Sequence, residues 1–359
     1  MRYLYNIGIW ILIIMTFLFS RTMVVAESEE SQPVIKAVST IITINGKDYP
    51  ISYVKVPLNK VRIKIGLAKG RVGQTESLKD IAKRYGAITA INGCFFDAYT
   101  SNIIKNPHHT IITEGKVVHK GNVGTVIGFT EDNQVFMERL TLKIEGGLDG
   151  SFKYPNNWYA YWINRFPESA DTVTIFTSYW GKSTGLNDGI QIVVSNGRVV
   201  RIGHSSQNIP EDGYVIYFRG KEKKLAERFW VGRRCEYRIV REDGSKLGKW
   251  EKVKEAVGAG PRLLKDGDIV VDPISEGFSH PKILSMSGTR SMVGITKNGE
   301  LILAVSSGTV REMAYVMKAL GAYQAMNLDG GASSGLWVND SYIITPGRDL
   351  SNALLILRR

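Results

Sequence analysis

From residue 41 the chain alternates between apolar and polar positions with a period of two, the signature of half-buried strands. Ile41-Ile42-Thr43-Ile44 runs into Asn45-Gly46 and out again through Tyr49 to Val56. Asn-Gly between two alternating runs predicts a tight hairpin, because both turn residues must take positive φ. Arg62-Ile63-Lys64-Ile65-Gly66-Leu67 predicts a further strand. The period then changes. Over 75–85, Leu78, Ile81, Ala82 and Tyr85 share one helical face, and Gly86 stops the helix. The strand Ala87-Ile88-Thr89-Ala90-Ile91 follows and ends at Asn92-Gly93.

The same device recurs near the C-terminus. Thr309-x-x-Glu312 is a capping box, and Met313, Val316, Met317 and Leu320 form the apolar face of its helix. Gly321 ends that helix. Ala322-Tyr323-Gln324-Ala325-Met326 is the next strand, ending at Asn327. The two units share Gly-Ala-x-x-Ala-x-Asn. Each delivers an asparagine at a strand end, where open sheets bind ligands, so both asparagines are expected to line one site. Between the units the chain reads as mostly β, with strands at Thr172–Phe176, Ile190–Val194 and Tyr214–Tyr217. Ser195-Asn196-Gly197-Arg198 and Asp243-Gly244 mark hairpins, and a further hairpin surrounds Asp266-Gly267. No linker separates a second domain. The expected fold is α+β: one β-rich domain over 39–359 with mixed sheets, a few helices and a β-rich insertion at about 140–254.

The N-terminus breaks the pattern. Arg2 precedes an apolar run from Ile7 to Phe19, followed by Val24-Val25-Ala26 and then Glu27-Ser28-Glu29-Glu30. This predicts a secretory signal peptide over 1–26, cleaved after Ala26, and a flexible segment over 27–38. Left uncleaved, the run would be a membrane anchor; the small residues before the cut favour cleavage. No other stretch is long and apolar enough to span a bilayer. The expected location is secreted or on the outer face of the envelope.

Composition adds less. The 359 residues are 43% hydrophobic and 22% charged, as in globular proteins, and the formal charge is +12. For an exported chain that charge fits either attraction to anionic envelope polymers or solvated lysines that serve solubility. The basic residues are scattered with no nucleic-acid motif, so nucleic acid is not expected as a partner. Cys94 and Cys235 can be one disulfide or two buried thiols. His108-His109 has no third ligand at metal spacing and reads as a surface loop. No metal and no cofactor are expected.

The segment 327–335 is the richest in chemistry. Asp329 sits at a strand end, Gly330 and Gly331 let a ligand approach the backbone, and Ser333 and Ser334 add hydroxyls beside N–H groups. Gly331-Ala332-Ser333-Ser334-Gly335 also matches GxSxG. A nucleophile elbow needs a helix after the serine and a histidine downstream; Trp337-Val338 reads as a strand and the last histidine is His280, so that chemistry is excluded. Thr289-Arg290 in a Gly/Ser/Thr loop can clamp phosphate oxygens through the planar guanidinium fork. Gly260, in Gly258-Ala259-Gly260-Pro261-Arg262, can bring backbone N–H groups to a ligand.

Together these segments resemble the phosphodiester glycosidase family. The carrying motifs are Ala90–Phe96, Gly258–Gly267, Thr289–Thr296 and Asn327–Ser334, in the family's order. Cys94, Ser291, Ala332 and Asp349 depart from its usual residues without removing a presumed catalytic group, so they bear on substrate identity more than on activity. The resemblance implies hydrolysis of the sugar C1–O bond of a sugar-1-phosphodiester within a glycan. It also implies catalytic roles for Asp329, Asn327, Arg290 and Asn92. Gly260, Thr289, Gly330, Gly331, Ser333, Ser334 and the second carboxylate Asp97 would bind substrate. The competing expectation is a non-catalytic envelope protein that holds anionic polysaccharide on the same fold.

Overall fold

The computed structural model describes residues 35–359, which form one compact unit. The signal-peptide reading and most of the 27–38 segment lie outside the described residues. Among the described residues there are 25 strands in five sheets and three α-helices, so β structure dominates the α+β expectation. The ladders are antiparallel apart from a two-residue parallel pairing of Trp162–Ile163 with Thr172–Phe176. The expectation of mixed sheets therefore holds for one sheet only. Short local connections explain this: hairpins join antiparallel strands directly, whereas parallel pairs need long crossovers.

A seven-stranded sheet forms the centre. Its order is Val38–Ile44, Lys47–Pro57, Glu300–Gly308, Gly288–Thr296, Ala322–Gly330, Arg262–Lys265 and Asp268–Ile269. The first two strands are the Asn45-Gly46 hairpin, with φ of 51° and 76° at the turn. The helix Val310–Ala319 packs on one face. Thr309 and Glu312 complete the capping box reciprocally, and Met313, Val316 and Met317 bury against Leu264, Met292, Ile302 and Ala304. Each such side chain contributes about 2 kcal/mol by leaving water.

The other face shares a core with two five-stranded sheets. One runs Ser341–Ile344, Leu336–Val338, Ala87–Asn92, Asn352–Arg358 and Val61–Leu67. The helix Leu78–Arg84, capped by Ser77, covers its outer side through Leu78, Ile81 and Ala82. The expected helix over 75–85 is thus shorter, because Ser77 takes extended φ/ψ and its hydroxyl accepts from the Asp80 N–H. Val54, Leu303, Ile65, Ile91, Leu354, Ile127 and Val257 meet in the shared core.

A third apolar cluster belongs to the strands between Leu142 and Arg241, where Ile144, Trp158, Ile175, Ile192, Ile216 and Cys235 pack. The Asn196-Gly197 hairpin is present, joining Ile190–Ser195 to Arg198–Gly203. Asp243-Gly244 makes a turn and no hairpin: Cys235–Arg241 pairs with Leu142–Leu148, and the next strand, Val253–Gly258, joins another sheet. Both cysteines are free and buried.

Candidate active site at the meeting of two strand ends

The two Gly-Ala-x-x-Ala-x-Asn strands lie in different sheets, yet their ends meet. The Asp329 N–H donates to the Gly93 carbonyl at 3.0 Å, and Asn92 Nδ2 donates to the Asp329 carbonyl at 2.6 Å. Asn92 Oδ1 accepts from the Ser291 hydroxyl at 2.6 Å and from the Gly335 N–H at 3.1 Å. One buried amide thereby fixes both flanks of the 327–335 turn. Gly93 is required beside it, since a Cβ there would stand 1.9 Å from Asn352 Oδ1. The pairing of Gly288–Thr296 with Ala322–Gly330 shifts register between Arg290 and Met292. Such irregularities re-aim side chains, and here the shift coincides with Asp329.

Asp329 faces a cavity of about 720 Å³. It is the one carboxylate among the lining residues, which include Arg165, Lys282, Arg290 and Arg348. Its pKa is pushed up to about 6, chiefly because burial penalises the charged form; the Ser333 hydroxyl, the Gly330 N–H, Arg348 and His108 pull it the other way. The Gly330 N–H donates to Asp329 Oδ1 at 2.8 Å. A Cβ on Gly330 would stand 2.9 Å from the Thr289 carbonyl, so only glycine lets these strands approach.

One wall is aromatic: Phe95, Phe96, Tyr99, His109 and Phe278. His109 is buried between Phe95 and Phe278, with ring centroids 5.3 Å and 6.0 Å away. Burial pulls its pKa down to about 3, so it is neutral, and neither ring nitrogen has a partner. His108 lines the cavity too, and its Nε2 lies 2.5 Å from Asp97 Oδ1. At the mouth Arg348 donates to the Tyr99 hydroxyl at 2.7 Å and lowers that group's pKa.

Of the expected site residues, Asp329, Arg290, Thr289, Gly330, Gly331 and Ser333 line the cavity. Asn92 and Asn327 do not. Both are buried, 1% and 0% exposed, beneath its floor. Asn327 Nδ2 donates to the carbonyls of Gly260 and Leu328, and its Oδ1 has no partner. The expectation that both amides reach ligand is corrected: the strand ends converge, but the amides bond protein backbone. Gly260 lies behind the floor, its N–H bonded to the Asn327 carbonyl at 2.8 Å, and a Cβ there would meet Glu276. Ser334 is buried outside the lining with an unpartnered hydroxyl. Asp97 stands behind His108 and is not in the lining.

The fork of Arg290 is also committed. Nε donates to the Gly308 carbonyl at 3.3 Å, and Nη2 donates to those of Lys282 and Met286. A two-pronged phosphate clamp is therefore not what Arg290 forms here. It leaves Nη1, which lies 3.3 Å from the position of a Cβ on Gly330. The residues the sequence reading passed over are His108, His109, Lys282 and Arg348. The His-His pair eleven positions after Asp97 was the available signal, weakened by its loop-like surroundings. Ser333 ends a 3-10 turn and is followed by the strand Leu336–Val338, consistent with exclusion of the nucleophile elbow.

Residues 188–357 match the sequence model of the phosphodiester glycosidase family. The resemblance thus holds over the stretch carrying three of the four motifs; Ala90–Phe96 lies before it. No curated protein matches the sequence. Among solved structures, a hypothetical protein from Synechocystis is similar at TM-score 0.77 and 24% identity, over 92% of this chain and 64% of that one. This chain thus spans just under two thirds of that protein's length. A "putative exported protein" from Burkholderia pseudomallei is similar at TM-score 0.70 and 18% identity, over 86% of this chain and 74% of that one. At these identities the likeness is one of fold. The zebrafish N-acetylglucosamine-1-phosphodiester alpha-N-acetylglucosaminidase catalytic domain, auto-inhibited by its pro-peptide, reaches TM-score 0.48 at 15% identity, over 92% and 85% of the two chains. That is too weak to carry an argument. Among the described residues no helix is long and apolar enough to cross a membrane.

Proposed function

We propose that this protein is an exported glycosidase that hydrolyses the sugar C1–O bond of a sugar-1-phosphodiester in envelope or extracellular glycan. The observation that carries the reading is Asp329: one carboxyl of raised pKa, about 6, in a cavity whose other lining charges are cationic. A phosphodiester is anionic and leaves as a stable anion, so its departure needs little protonation. The site must instead neutralise phosphate, steady positive charge developing at C1, and deliver water. Lys282, Arg348 and Arg290 Nη1 suit the phosphate. The aromatic wall, with neutral His109 packed between Phe95 and Phe278, suits the C–H faces of a sugar ring.

Asp329 acts as the base. Burial that disfavours its charge also makes it more basic, and a base works best with a pKa near the working pH. Water's oxygen bonds to C1, the C1–O bond breaks, its electron pair leaves with the phosphate, and water's proton passes to Asp329. His108 lines the cavity, oriented by the bond between its Nε2 and Asp97. Thr289, Gly330, Gly331 and Ser333 shape the floor. Asn92, Asn327 and Gly260 act through the backbone they hold, and Ser334 lies buried outside the cavity lining.

The test is turnover of a panel of sugar-1-phosphodiesters by the purified protein, with the product anomer read by NMR. We expect release of free sugar at a rate that rises as pH passes upward through about 6. No turnover of any member, at any pH between 5 and 8, would sink the reading.

A further inference from the structure

A second cavity, of about 1000 Å³, lies on the far side of one wall of the first. Two consecutive residues divide them: Arg165 lines the first cavity and Phe166 the second. The 96–108 loop is split likewise, with Phe96, Tyr99 and His108 on one side and Ile104 on the other. Asn106, 1% exposed, ties the partition together. Its side chain accepts from the Phe166 N–H at 2.8 Å and donates to the Phe166 carbonyl at 3.2 Å. Its own carbonyl accepts from the Asp97 N–H at 3.0 Å, behind His108. The wall is thus about one chain thick and held rigid by a buried amide.

The second cavity has the makings of a carbohydrate site. Its apolar part is Trp180, Phe166, Ile104 and Ile209, with Trp180 fixed against Phe176 at 4.9 Å and its indole N–H donating to the Thr184 carbonyl at 3.3 Å. Around this stand Arg71, Gln74, Lys182 and Asn208. None of these four side chains has a hydrogen bond or ion pair among the described residues. Polar groups free at the rim and an immobilised aromatic beneath are what a hydroxyl-rich ring with apolar faces needs. Two cations against the single carboxylate of Glu211 favour an anionic ligand.

We propose that this second cavity binds neighbouring units of an anionic glycan whose phosphodiester enters the first, so that the substrate is a polymer gripped on both sides of the Arg165–Phe166 partition. This rests on the reading of the first cavity, and the two can fail separately. The test uses the full chain carrying Asp329→Asn, so that binding is measured without turnover. The probe is a phosphoglycan of repeating sugar-1-phosphate units. A variant that also carries Arg71→Glu and Lys182→Glu is compared by calorimetry with one carrying Lys223→Glu and Lys224→Glu, the same charge change on exposed residues elsewhere. We expect the first pair to weaken polymer binding about tenfold, the scale of losing charge-assisted contacts, and the second pair to change it little. Equal weakening by both pairs, no weakening by the first, or no polymer binding by the parent would overturn the proposal. With Asp329 restored, the first pair should leave turnover of a single-unit sugar-1-phosphodiester unchanged; a loss there equal to that on polymer would overturn it too. Turnover of that small substrate by the unaltered protein tests the first cavity independently.

Discussion

The two helix–glycine–strand units end in the same residue type and do different work. At the end of the first, Asn92 has both its amide oxygen and its amide nitrogen bonded, holding the Asp329 carbonyl, the Ser291 hydroxyl and the Gly335 N–H. At the end of the second, Asn327 leaves its oxygen unpartnered, and the chain continues two residues to a carboxyl of raised pKa. One strand end is scaffold; the other presents charge. A repeated sequence device can therefore place two chain ends together without giving them one function. The carboxyl is the chemical half of the pair, and the amide is what fixes its backbone.

The sharpest way to break this comparison is Asp329→Asn. Turnover should fall by roughly two decades or more, as for loss of a general base. Stability should move the other way. Asp329 has a folded pKa near 6 against an unfolded value near 3.8, so the native state binds its proton more tightly. Any stability that this provides is present below the unfolded pKa and lost as pH rises through the folded one. The Asn variant escapes that loss. At pH 7.5 it should be more stable by on the order of 2 kcal/mol, and below pH 4 by almost nothing. Denaturant unfolding at both pH values checks this; equal stability differences at the two would count against a charged, buried Asp329.

Asn92→Ala should come next. It strands the Asp329 carbonyl, the Ser291 hydroxyl and the Gly335 N–H, and should cost about 2 kcal/mol in unfolding free energy, with turnover reduced through misplacement of Asp329. If the variant is fully stable and active, the amide is not the scaffold. His108→Gln, with Asp97→Asn as its companion, should lower kcat about tenfold, the scale of one lost positioning hydrogen bond. Because Asp97 acts through His108, the double variant should be no slower than His108→Gln alone. Multiplying losses would separate the two residues. Asn327→Ala should have the smallest effect, about 1 kcal/mol, since it removes an unpaired buried oxygen along with the two bonds of the amide.

Much of the fold was legible because its signals are local. The Asn45-Gly46 and Asn196-Gly197 turns, the Thr309–Glu312 capping box and the two helix faces each lie within a dozen residues. Asp243-Gly244 misled because a turn dipeptide says nothing about which sheet takes the next strand. At the site, Asp329, Gly330 and Ser333 were legible from glycine density beside a buried strand. The bond from Asn92 to Asp329 spans 237 positions and was visible only as a repeat. Arg290 was misjudged because its fork is taken by carbonyls of Lys282, Met286 and Gly308, and carbonyls leave no trace in side-chain patterns. Lys282 and Arg348 each look like ordinary surface cations until the chain brings them to one cavity.

The central claim is that Asp329 directs water to a sugar carbon. Hydrolysis of a sugar-1-phosphodiester in heavy-oxygen water tests it most directly, with mass spectrometry of both products from the unaltered protein and from Asp329→Asn. The account predicts that the unaltered protein places the heavy oxygen on the sugar and none on the phosphate, and that Asp329→Asn forms almost no product. Heavy oxygen in the phosphate, or labelled sugar from Asp329→Asn at close to the parent rate, would contradict it.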